Sequence, residues 1–142
     1  MSKSNSFETS LLQLIFNATA IANIADNAAT SPLTNLFVSL HTADPGEAGN
    51  QSTSEATYTS YARVSVARTS GGWTVAAGSV SPVAAITFQE ATGGTNTITH
   101  FGIGVASSGA TTLLYSGTVT PNLSVTTGVT PLLKTTSTIT ED

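Results

Sequence analysis

The sequence predicts a mainly β protein, an antiparallel β-sandwich or a Greek-key or jelly-roll-like barrel, with one N-terminal α-helix. Three observations predict it. Apolar residues recur at three- and four-residue spacing only near the start, and after Ser31-Pro32 the period changes to two. Thr and Ser supply about a third of the 142 residues, and β-branched Thr suits a half-exposed pleated surface. Turn signals then return roughly every 8–12 residues, the spacing of sandwiches and small barrels.

The helix is expected over 7–22, after a flexible arm at 1–6. Asn5 can cap it, with Glu8 three residues on in capping-box position. Phe7, Leu11, Leu14, Ile15 and Ala18 form one apolar stripe, which Leu12 and Phe16 broaden. The sandwich is expected over 35–140. Its first strand runs from Asn35 to His41, with Leu36, Val38 and Leu40 on one face and Phe37, Ser39 and His41 on the other. Asp44-Pro45-Gly46 ends it with type II turn chemistry, and the polar stretch after Gly46 is expected to be a surface loop.

Tyr61–Val66 gives the next strand. Gly71-Gly72 and a short segment around Trp73 follow, then Ala84–Gln89. In Ile98–Val105 the apolar residues Phe101, Ile103 and Val105 share a face. Gly102 and Gly104 lie opposite, where a missing Cβ permits close approach of something else. Leu113–Val119 and Leu132–Ile139 complete the set. No fixed-period repeat, heptad or linker divides the chain, so residues 1–142 are expected to form a single domain.

Composition narrows the function. There is no cysteine, which excludes disulfides, Cys-ligated metal and thiol chemistry. Charged residues are only 8% of the chain and the net charge is −4, with Lys3, Arg63, Arg68 and Lys134 scattered. No basic patch marks a nucleic-acid partner, and no apolar run is long enough to cross a membrane. A hydroxyl-rich, weakly charged surface fits a protein packed in an assembly better than a free one.

No residue pattern points to catalysis, a cofactor or a metal. His41 and His100 lack further ligands at suitable spacing, and a strand histidine bonded to backbone is the simpler reading. No serine lies in a nucleophile elbow, and Asp26, Asp44, Glu47 and Glu55 fall in turns and loops. Gly102-Ile103-Gly104 lacks the following helix that a phosphate-binding loop needs. Tyr58, Tyr61, Trp73 and Tyr115 can stack on sugars, but scattered aromatics in a β domain more commonly serve the core. The expectation is a protein that is not an enzyme.

Several segments, in order, carry a resemblance. Leu40-His41-Thr42-Ala43-Asp44-Pro45-Gly46 is followed by a Glu-bearing loop (Glu47, Glu55) and Tyr61-Ala62-Arg63-Val64. Then come Trp73, Ile86-Thr87-Phe88, Ile98–Ile103, Leu113-Leu114-Tyr115-Ser116-Gly117 and an alternating strand after Gly128. The set resembles a family of small tailed-phage virion structural proteins, of capsid decoration or cement type and often labelled tail-fibre proteins. The resemblance implies a virion subunit without catalytic residues, and the start of the sequence, without a signal-peptide pattern, leads to the expectation of synthesis in the host cytoplasm.

The missing repeats and heptads favour a cement subunit on the capsid exterior, reinforcing the shell. A tail or tail-fibre component and a carbohydrate-binding β module are the alternatives. The expected partners are the major capsid protein and copies of itself, as a dimer or trimer. Contacts are expected from the N-terminal arm and the polar loop, at Ser2, Lys3, Glu47, Gln51 and Glu55.

Overall fold

A computed structural model describes residues 3–21, 25 and 32–141 of the chain. They form a mainly β, antiparallel protein with a single N-terminal helix, and no sheet closes into a barrel. The chain passes back and forth between two compact units.

The first unit holds the helix α1 (Asn5–Asn17) and three strands, β3 (Trp73–Ala76), β4 (Ser79–Pro82) and β9 (Ile139–Thr140), in the order β3-β4-β9. The helix is earlier and shorter than the expected 7–22. Ser4, not Asn5, is its N-cap and accepts from the Phe7 N–H, so Glu8 falls one residue past the capping-box position. Both residues are good caps, and the sequence does not rank them. The buried pair is Leu12 and Phe16, while Phe7 is exposed and the rest of the expected stripe is half-buried.

Arg68 terminates the helix. Its guanidinium donates to the carbonyls of Leu14, Ile15 and Leu33, and Ala18 in the left-handed region returns its N–H to Gln13. Two of the carbonyls that a helix C-terminus leaves open are thereby taken by one cation, which also suits the local dipole. The β3–β4 hairpin turns at Ala77-Gly78, both at positive φ, as a two-residue hairpin loop requires. Trp73 and Phe16 meet edge to face at 4.9 Å, and with Leu12 and Val80 they make this unit's core. Each such side chain is worth roughly 1.5–3 kcal/mol when withdrawn from water.

The second unit carries a four-stranded sheet in the order β2-β1-β6-β7, with β1 Asn35–His41, β2 Val64–Ala67, β6 Asn96–Gly104 and β7 Leu113–Val125. A two-stranded sheet pairs β5 (Ile86–Thr87) with β8 (Leu132–Leu133). Across β1 and β6, Val38 faces Ile103 and Leu40 faces Phe101, a cross-strand apolar set. On the opposite face Ser39 lies beside Gly102 and Phe37 beside Gly104. The second half of β1 is buried on both faces, so strict alternation fails there.

The covering comes from the stretch after Gly46, which is exposed at its start, as expected of a surface loop, and then turns inward. Thr42 donates to Ser54 and Ala56 to Leu40, so 54–56 continue the edge of β1 that β2 occupies farther along. Gln51, Ala56 and Tyr58 are buried. The expected Leu132–Ile139 strand splits into β8 and β9, and β7 extends to Val125. In β7 an irregularity separates the pairs His100–Thr118 and Ile98–Leu123.

Candidate functional site

The polar residues singled out by the sequence motifs converge in the second unit. Arg63 is at the centre, its side chain 2% exposed. Its Nε and Nη2 donate to the two oxygens of Glu55 at 2.7 and 2.8 Å, a bidentate fork. Nη1 donates to the Ala106 carbonyl at 3.0 Å and Nη2 to the Gly109 carbonyl at 2.9 Å. Tyr61 donates its hydroxyl to Glu55 at 2.9 Å and accepts the Leu40 N–H at 3.0 Å. The Glu55 hydrogen bonds hold the guanidinium's proton above its ordinary range, and burial raises the Tyr61 phenol. This arrangement ties the strand edge, the 51–56 stretch and the β6–β7 connection together.

Gln51 is a second anchor, fully buried. Its Nε2 donates to Phe37, while its Oε1 accepts from the Ala106 N–H and the Thr111 hydroxyl. A Cβ at Gly104 would stand 1.9 Å from Gln51 Cδ, so glycine is required there. His41 is the third anchor. Its Nδ1 lies 2.8 Å from the Thr53 carbonyl, which can only accept, so Nδ1 carries the proton. In the neutral ring Nε2 then accepts from the Ser39 hydroxyl, 2.8 Å away. Burial, chiefly, lowers the imidazole pKa. The Ser39–His41 contact has nucleophile–base distances, but both residues are 0% exposed and Gly102 packs directly over them.

Gly102 and Gly104 therefore admit the chain's own Ser39, His41 and Gln51. The close approach expected at this glycine face is made within the chain, and the face is already covered. His100 is half-buried with Thr99 as its partner. Among the described residues no cluster of three or more His, Asp or Glu is placed to hold a metal, and no helix is long and apolar enough to cross a membrane.

An accessible feature among the described residues is a groove of about 370 Å³ beside the start of β7. Leu113, Leu114, Tyr115 and Ser116 form one wall, and Asp44, Gly46, Glu47 and Gly49 the other. The second wall is locally fixed, since Asp44 accepts the Gly46 N–H at 2.9 Å and Gly49 donates to Gly46 at 3.1 Å. Gln51 N–H then closes against the Thr111 carbonyl at 3.0 Å, just before β7 begins.

The five expected contact residues scatter. Glu47 lines the groove. Glu55 is committed to Arg63 and Tyr61, and Lys3 to Glu141 at 3.1 Å in the first unit. Gln51 is withdrawn from any partner by its burial; it fills the space that Gly104 leaves. Ser2 lies outside the described residues. Missed by the sequence were Asp44, Leu114 and Ser116 as groove residues, and the Arg63 centre. The two glycines in β6 signalled that something approaches, without saying what.

Residues 2–140 match the family described as Podophage GP4 fiber I protein gp80. The chain belongs to this family. The fibre I family is one of small tailed-phage virion structural proteins, in agreement with the resemblance carried by the ordered motifs. Its match spans both units, so the chain is a phage virion structural protein along nearly its whole length. No curated protein sequence matches it.

Proposed function

We propose that the chain is a non-catalytic building block of the podophage fibre. The supporting observation is that its motif residues turn inward: Arg63, Glu55, Tyr61, Gln51 and His41 satisfy one another and backbone groups. Such a set stiffens a subunit and fixes the loops that neighbours meet. The family's description favours a fibre over the capsid surface that the lack of repeats suggested. Its partners on this reading are neighbouring virion polypeptides. Three of its four cations are engaged internally, which speaks against nucleic acid.

Gold labelling of a C-terminal tag on purified virions tests the location, with copy number from quantitative mass spectrometry. Label confined to the tail apparatus at low copy number is expected. Label spread over the head in lattice-scale numbers would return the protein to the capsid, and turnover of a polysaccharide by the purified chain would end the non-catalytic reading.

A further inference from the structure

We infer that the groove beside β7 receives an extended, basic segment of a different virion polypeptide, added as a further strand to the sheet. The inference rests on the chain being a virion building block. β7 is the terminal strand of its sheet, and among the described residues no strand covers its outer edge. It runs for 13 residues, Leu113–Val125, without one charged side chain. Proteins guard an exposed edge with charges, with Pro or with bulges. Pro121 and the irregularity between Thr118 and Leu123 guard the far half of β7, so the charge-free stretch from Leu113 to Thr118 is the part open to pairing.

The groove lies along the first residues of that edge. Four consecutive positions, Leu113 to Ser116, line it, so it is reached along the strand and not from one face alone. The opposite wall begins where Gln51 stops bonding to Thr111, and its turn is held by its own hydrogen bonds. A groove beside a terminal strand suits an extended peptide, whose main chain supplies affinity and whose side chains supply register. Leu114, 37% exposed, offers apolar contact, while the exposed Asp44 and Glu47 offer a seat for a cation.

Charge selects the occupant. A second copy would bring the same two carboxylates to the edge; its Lys3, Arg63 and Arg68 are engaged within the first unit or the buried centre, and its exposed Lys134 sits in a turn closed by the Ser137 N–H, not on an extended segment. A segment carrying Lys or Arg from another polypeptide meets the acidic wall without repulsion.

The experiment places the photo-crosslinker benzoylphenylalanine at Leu114 in otherwise intact phage, irradiates purified particles and identifies the joined peptide by mass spectrometry. A link to an extended segment of a different virion polypeptide with Lys or Arg beside the joined residue is expected. Glu47→Lys should lower its yield about tenfold and Glu47→Gln much less, as reversal of a rim charge does. Melting of each purified variant, unchanged from the parent, shows that the fold is retained. A link to a second copy or to a glycan overturns the inference, as does equal yield with Glu47→Lys. Absence of the chain from particles overturns the building-block reading and this inference with it; presence without a link at Leu114 overturns the inference alone.

Discussion

At the scale of single residues, Arg63 shows how a cation is kept in a nearly charge-free protein. Taking a guanidinium out of water is costly, and only a full set of partners offsets it. Glu55 supplies the opposite charge, the Ala106 and Gly109 carbonyls take two further donors, and the Thr111 hydroxyl lies 3.5 Å from Nη1. Arg63→Ala leaves Glu55 and both carbonyls without their donor, and should cost about 3–5 kcal/mol in denaturant unfolding. Arg63→Met combined with Glu55→Leu should recover much of that loss. His41 gives a pH dependence of definite sign. Its folded pKa lies below the usual 6.5, with burial first among the causes; Arg63 and His100 push the same way and Glu55 against. The unfolded chain therefore binds the proton more readily. Stability from this residue is complete above about pH 6.5 and is lost as pH falls towards the folded value, at up to about 1.4 kcal/mol per pH unit. Urea midpoints at about pH 7.5 and about pH 5.5 should diverge more for the parent than for His41→Gln.

At the scale of elements, β6 and the stretch after Gly46 are built as a lock. The strand omits two side chains, and the loop inserts Gln51 and the sheet turns in Ser39 and His41 to fill the gaps. Gly104→Ala should expel Gln51 and destabilise the protein by about 3 kcal/mol, combining overpacking with broken buried hydrogen bonds. In a Gln51→Ala background the same change should cost less, and a double-mutant cycle should give a coupling of about 1–2 kcal/mol. Additive costs would mean that the two positions do not share the space. This lock also explains what the sequence could and could not disclose. Alternation made β1 and β6 legible, and their glycines announced close packing. The loop was misjudged because Gln51 and Glu55 are polar, and polarity ordinarily marks a surface. Gln51 is buried against Ala106 and Thr111, some tens of residues away, which no local pattern contains, while Glu55 is half-buried by the nearby Tyr61 and Arg63.

At the scale of the whole molecule, the fold class was legible and its subdivision was not. One N-terminal helix followed by antiparallel strands came from a change of period that any short window displays. The two units are assembled from alternating stretches of chain, so no composition shift or linker marks them. Strand order is hidden for the same reason: β1 pairs with β6, far along the chain, and β4 with β9. The family was legible because turns, glycines and the Tyr61-Ala62-Arg63 segment keep their order even where each is weak alone. The groove was not, because it is made by two distant segments that separate after Thr111.

The two shortest contacts of Arg63 with the β6–β7 connection go to main-chain carbonyls, which every amino acid possesses. The guanidinium thus counts residues between Ala106 and Gly109 without reading them. Over evolutionary time Ser107 and Ser108, both exposed, are free to change identity, while insertion or deletion of even one position would unseat the network. The length of that short turn, with a glycine at the positive φ of Gly109, is what descent must preserve, and not the spelling between.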